Sequence, residues 1–185
     1  MVGAARQQDG LHPLISAAGA AAYHRPMPPR VMSTTRAIPV TPEAAFAGTL
    51  PVSLPAIFNR WYGPIGPVKE VRDQHGEWAT VGQTRTVLQV GGGSLQEELT
   101  TVDAPHTFGY RLTEIKGPLA PLVDHVDGQW LFEPAGTGTN VTWQWTVHPK
   151  SKLGALAMPV FERLWRGYAR QGLEQLSVEL VREHR

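Results

Sequence analysis

The chain has 185 residues, 42% of them hydrophobic, which suits one domain with a substantial core plus an arm. Its 17 basic and 16 acidic side chains leave a net charge of +1, so nucleic acid finds no electrostatic footprint. With no cysteine, disulfides and thiolate metal sites are excluded; with no apolar run of membrane-span length, a soluble, cytoplasmic protein is expected.

Residues 1–32 are rich in Ala, Pro and Gly, lack a sustained amphipathic period, and read as a poorly ordered extension. The stretch LISAAGAAA has the flavour of a signal-peptide core, but it is short, and His12 and Pro13 interrupt its start. Residues 33–185 are taken as the folded domain.

Ser33 to Val40 reads as a first strand. Thr41-Pro42-Glu43 then supplies an N-cap, a proline at the first helical position and an acid in the first turn, starting a short apolar helix through Phe46. A second short helix is expected from Ser53, since Pro55 is tolerated in a first turn. Trp61 to Pro67 is too rich in Gly and Pro for regular structure. Strands are expected at Val68–Arg72 and from Ala79 onward, across a turn near His75-Gly76.

Residues 84–115 read as three antiparallel strands. Gly91-Gly92-Gly93 makes the first turn and Asp103-Ala104-Pro105 the second. Strand alternation puts Leu95, Glu97, Leu99 and Thr101 on one face, so Glu97 points inward with the leucines. Phe108, Tyr110 and Leu112 form the apolar face of the next strand. If the first turn takes three residues, Arg85 sits opposite Glu97; a turn one residue different pairs Thr86 with Glu97 and turns Arg85 outward.

The apolar loop Gly117 to Pro121 reads as a lid. Strands follow around 123–133, with Trp130 and Phe132 on one face, and 139–148, with Val141, Trp143, Trp145 and Val147 on one face. Residues 152–183 form one long helix whose apolar stripe runs through Phe161, Trp165, Tyr168, Gly172, Leu176 and Leu180. Glu162 with Arg166 and Arg170 with Glu174 are spaced for ion pairs on its other face, and Pro159 marks an expected break. Gly167 and Gly172 each cost the helix about 1 kcal/mol relative to alanine. Gly172 leaves room for a ligand or for close packing on the sheet.

The resulting order is α+β: a strand, two short helices, further strands of a curved antiparallel sheet, and a long C-terminal helix. With TPEAAF, VGQTRTV before a Gly turn, EELTTVDAP, FGYRL and GTNVTW, the chain resembles the START-like (SRPBCC, Bet v 1-like) superfamily of helix-grip folds. Within it, the resemblance is to the polyketide cyclase/dehydrase and lipid-transport family, over residues 33–182. It implies six to seven strands wrapped around the last helix, and a cavity between them for an apolar ligand. Arg85, Glu97, Tyr110, Leu112, Trp130, Phe132, Trp143, Trp145, Phe161 and Tyr168 are the ligand-binding candidates.

Three residues carry candidate chemistry. Glu97 on an apolar face can act as a general acid or base, or simply hold Arg85. Tyr110 can donate a hydrogen bond from a greasy wall. His125 can be a proton shuttle, or an ordinary strand residue. His75, His106 and His148 fall near turns or strand ends, and no His or carboxylate pair has a recognised ligand spacing, so no metal is expected. No phosphate loop or nucleophile elbow is present, so no cofactor is expected.

Three functions fit these residues: a carrier or sensor of a hydrophobic lipid, polyketide or aromatic compound; a cyclase or dehydratase working without metal or nucleotide; and an interaction module with a filled core, offering Trp61 and Tyr62 to a partner.

Overall fold

The computed structural model describes residues 27–183; most of the expected N-terminal extension, and the signal-peptide stretch within it, lie outside that range. Seven strands and three helices follow one another as β1 (Arg30–Ile38), α1 (Pro42–Thr49), α2 (Leu54–Ile57), β2 (Val68–Arg72), β3 (Thr84–Gln89), β4 (Ser94–Asp103), β5 (Thr107–Lys116), β6 (Val123–Ala135), β7 (Gly138–Pro149) and α3 (Lys152–Glu183). The sheet is antiparallel in the order β1-β7-β6-β5-β4-β3-β2, so the first strand crosses over to pair with the last. Consecutive hairpins build the rest, and α3 packs against the sheet's aromatic face.

Local chemistry explains the element boundaries. Thr41 caps α1 by accepting the Ala44 N–H, and Pro42 opens the helix, as the TPE motif implies. β1 begins three residues before the strand read from sequence, and Met32, assigned there to the extension, is buried in the core. The strand expected from Ala79 begins only at Thr84. The reason is Gln83, whose side-chain carbonyl accepts from the Ala79 and Thr80 N–H groups while its amide donates to the His75 and Glu77 carbonyls. That network ties residues 75–80 into a turn, so the chain reaches the neighbouring strand only at Gly82 and Gln83, which exchange backbone hydrogen bonds with Leu99.

Helix α3 runs unbroken through Pro159, contrary to the break expected there. Proline removes one helical N–H and crowds the preceding turn, but this one is solvent-exposed, where water can serve the freed carbonyl. The inward stripe Phe161, Trp165, Tyr168, Leu176 and Leu180 is buried as its period requires. Glu162 pairs with Arg166 and also with Arg30 of β1, whereas Glu174 pairs with Arg60.

The helix glycines form notches for aromatic rings. A β-carbon at Gly172 would lie 2.3 Å from Phe58 Cε1, and one at Gly167 would lie 1.9 Å from Tyr62 Cζ. Phe58 and Tyr62 therefore dock onto α3 where its side chains are missing, and Tyr62 is committed to that packing. Trp61 stays half exposed and lies against Gly91 of the β3–β4 turn. The propensity cost of both glycines is offset by aromatic contact.

Candidate functional site

Alternation along β7 points Val141, Trp143, Trp145 and Val147 inward, and each is buried. The rings of Trp143 and Trp145 meet Trp165 of α3 at 5.1 and 5.5 Å between centroids. Trp130 of β6 stacks on Trp143 at 5.3 Å, and Phe58 stacks on Tyr168 at 5.2 Å. Of these, Phe58, Trp130, Trp143, Trp145 and Tyr168 line a cavity of about 70 Å³ between sheet and helix, with Leu50 and Val52 from the α1–α2 connection and Leu54 from α2.

Beside Thr49 and Gln89, the polar side chains of this cavity are Arg85, Glu97 and Tyr110. Register places Arg85 opposite Glu97 and Val87 opposite Leu95, the in-facing alternative. Arg85 Nε donates to Glu97 Oε2 at 2.8 Å, and each residue is only 5% exposed. Arg85 Nη1 reaches Gln74 Oε1 at 3.3 Å, and its guanidinium carbon lies 4.0 Å from the centroid of the Trp78 ring. The cation is thus held by a carboxylate, an amide and an aromatic face.

Tyr110 completes this polar set. The indole N–H groups of Trp143 and Trp145 donate to its hydroxyl oxygen at 2.6 and 2.8 Å. With both lone pairs engaged, the phenol keeps its own proton to offer. Burial, reinforced by the negative charge of Glu97, drives its pKa far above the ordinary tyrosine value, so it stays a neutral donor.

Gln89, Leu95, Trp145 and Tyr168 separate this chamber from a second of about 170 Å³ nearer the surface. Pro118 and Leu119 of the apolar 117–121 loop line that outer chamber, opposite Trp61, Ile65 and the β3–β4 turn, so the loop lies where a lid would. Tyr168 stands between the chambers; burial raises its phenol well above the usual range despite a hydrogen bond with Gln89.

Of the ten ligand-binding candidates, eight line the inner chamber: Arg85, Glu97, Tyr110, Leu112, Trp130, Trp143, Trp145 and Tyr168. Phe161 lines the outer chamber, beside Trp145. Phe132 lines neither; it packs edge-on to Phe46 at 5.5 Å within the solid core. Thr101, read as inward from alternation, is exposed because the β4–β5 register shifts between Leu99 and Thr101.

His125 faces away from the cavity. A register shift between Val123 and His125 buries both Val123 and Val126 and turns His125 to the outer face of the sheet. There it stacks on His148 with ring centroids 3.9 Å apart, and His148 Nε2 lies 3.0 Å from Asp127 Oδ2. Burial alone would raise the Asp127 carboxyl, but the hydrogen bond and charge of Arg111, with His148, hold it below its ordinary value. The sequence reading found no ligand spacing here, because the third residue comes from the neighbouring strand; His125-x-Asp127 on one strand was the available signal.

The reading also missed Trp78, Phe58 and Gln89. Trp78 sits in the polar loop HGEWAT, and a tryptophan alone among polar residues was the clue that its ring is needed inside. Its indole N–H, like that of Trp165, is buried with no hydrogen-bond partner.

The family profile described as polyketide cyclase / dehydrase and lipid transport matches residues 29–180. No curated protein gives a sequence match. Among solved structures, norcoclaurine synthase from Thalictrum flavum, in complex with dopamine and hydroxybenzaldehyde, is similar with a TM-score of 0.61 at 17% identity, covering 85% of this chain and 88% of that one. The structure of Ara h 8.0201 gives 0.59 at 14% identity, covering 83% and 98%. A Thermus thermophilus protein, TTHA0849, gives 0.58 at 20% identity, covering 83% and 99%. At these identities the likeness is one of fold, the Bet v 1-like helix-grip, which the seven-stranded sheet and long C-terminal helix share. With the profile covering nearly all of the described residues, the chain belongs to the polyketide cyclase / dehydrase and lipid transport family.

Proposed function

We propose that the protein is a carrier or sensor of a small hydrophobic ligand, and that the ligand is a flat, neutral molecule with one hydrogen-bonding end. The observation that carries this reading is a polar pole, Arg85, Glu97 and Tyr110, in a chamber whose remaining wall is aromatic and aliphatic apart from Thr49 and Gln89. Burial of ligand surface supplies the affinity, at about 25 cal/mol per Å². The pole supplies orientation. Because Arg85 and Glu97 neutralise each other, a ligand carboxylate brings an uncompensated charge into a low-dielectric site, while a carbonyl or hydroxyl accepts from Tyr110 at no such cost.

The same geometry weighs against the cyclase or dehydratase reading. Glu97 is engaged as the counter-ion of Arg85, Tyr110 is held neutral, and His125 stands outside the chamber. The small inner volume favours a second reading, an interaction module with a filled interior, since ligand chambers usually run to about 300–1,000 Å³. A carrier must therefore open by moving rings such as Phe58 and Tyr168.

Native mass spectrometry of the protein from its own host, followed by solvent extraction, tests the proposal. A stoichiometric neutral aromatic or polyketide-like adduct is expected, with weaker retention in Tyr110→Phe. A fully apo protein that also gives no tryptophan fluorescence change with neutral aromatic probes supports the filled interior instead.

A further inference from the structure

On the outer face of the sheet, away from the chamber, three side chains with metal-ligand chemistry converge. His125 and Asp127 are two apart on β6 and so share a face; His148 on β7 is the cross-strand partner of His125. The ligand atoms that His125, Asp127 and His148 offer all lie within 4.8 Å of one another. Asp127 Oδ2 is 3.0 Å from His148 Nε2 and 4.0 Å from His125 Nε2. Donors around a tetrahedral zinc ion, with bonds of about 2.0–2.1 Å, stand about 3.3 Å apart. The trio brackets that spacing.

The surroundings are those of a prepared site. His125 Nδ1 lies 2.8 Å from Asp124 Oδ2, which fixes the proton on Nδ1 and leaves the Nε2 lone pair free toward Asp127. Arg111 Nε holds Asp127 Oδ1 at 2.7 Å, leaving Oδ2 as a single donor. The imidazoles stack nearly parallel, at 13°, and must tilt apart to aim at one ion, with His148 giving up the Nε2 proton that Asp127 Oδ2 accepts at 3.0 Å. At 28% and 29% side-chain exposure they have solvent to turn into, and the same openness leaves a coordination position for water.

We propose that His125, Asp127 and His148 form a two-histidine, one-carboxylate site for a borderline divalent cation of the zinc, cobalt or nickel class, pinning β6 to β7 just beyond the 117–121 loop. Two imidazoles and one carboxylate suit such ions, and calcium or magnesium, which want more oxygen donors, fit poorly. The positive charge of Arg111 weakens the site without abolishing it. Nothing in this assignment depends on the ligand chamber, which opens on the other side of the sheet.

The test is calorimetric titration of the full, untagged chain with zinc chloride, paired with the visible spectrum of the cobalt(II) form. One zinc per chain is expected, with cobalt d–d bands of a low-coordinate nitrogen and oxygen site. His148→Ala should abolish both signals, and Asp124→Asn should weaken zinc about tenfold through the loss of the outer partner of His125. His75→Ala and His106→Ala should change neither. Circular dichroism identifies any variant that fails to fold, in which case His148→Gln replaces it. No zinc heat in the unmodified chain, or zinc binding that survives the His125→Ala/His148→Ala double variant, overturns the assignment.

Discussion

Tyr110 lies directly over Gly128, its cross-strand partner: a β-carbon at Gly128 would sit 2.1 Å from Tyr110 Cζ. The absence of a side chain on β6 is what lets a phenol anchored on β5 reach past it to the indoles of Trp143 and Trp145 on β7. Gly128→Ala should therefore displace the ring and break both indole hydrogen bonds. Overpacking costs typically about 1–3 kcal/mol, and buried N–H groups left unpaired add to it. We expect a stability loss of about 2–4 kcal/mol in denaturant melts and a shifted tryptophan emission. A variant with unchanged emission would place the hydroxyl elsewhere.

The pair Arg85 and Glu97 separates structural from ligand roles. Glu97→Gln leaves a guanidinium buried without its counter-ion, and such losses run to about 3–5 kcal/mol. Replacing both, as Arg85→Met with Glu97→Leu, removes both desolvation penalties and should recover most of that stability. Adding Tyr110→Phe to the double variant removes the whole pole, and that triple variant should keep affinity for fully apolar ligands and lose preference for those carrying a carbonyl or hydroxyl. Equal losses for both ligand types in an equilibrium titration would remove the pole from the recognition scheme.

How much of this was legible beforehand follows from which interactions are local. Two-residue alternation was enough to turn Glu97 and Tyr110 inward, and helical spacing was enough to align Phe161, Trp165 and Tyr168. The turn length at Gly91-Gly93 left Arg85 undecided, because a register is settled by the whole ladder and not by one loop. The bulge before His125 and the rings docked on Gly167 and Gly172 depend on partners distant in sequence, and the turn pinned by Gln83 rests on side-chain hydrogen bonds that have no period. Periodicity has no access to these, so His125 was placed among the catalytic candidates and Trp78 was overlooked.

Alkaline titration should report the two buried phenols. Tyr110 and Tyr168 have their pKa raised by burial above the ordinary value of 10.0. In the unfolded chain both ionise near 10, so the fold's preference for the neutral form is fully present below that pH and is lost as pH rises past it. Each phenol steepens the fall in stability by about 1.4 kcal/mol per pH unit above 10. Of the chain's 4 tyrosines, two should gain phenolate absorbance only together with the loss of far-ultraviolet circular dichroism. Phenolate signal from all of them before unfolding would contradict the burial assigned to this pair.

Phe58 should control access to the chamber. Its ring sits in the Gly172 notch, stacks on Tyr168, tilts against Trp143 at 4.9 Å and lines the inner chamber, so it occupies space a ligand needs. Phe58→Ala removes those contacts and leaves a hole that the rigid α3 and β7 cannot close. A stability loss of about 3–5 kcal/mol is expected. Ligand affinity should move the other way, because the ring no longer has to be displaced before a flat molecule enters. Titration of tryptophan fluorescence with a neutral aromatic probe measures this directly. Tighter binding in the less stable variant would identify Phe58 as the group that yields to ligand; unchanged or weaker binding would mean that opening runs through the Tyr168 side, and that the Phe58 ring belongs to the wall.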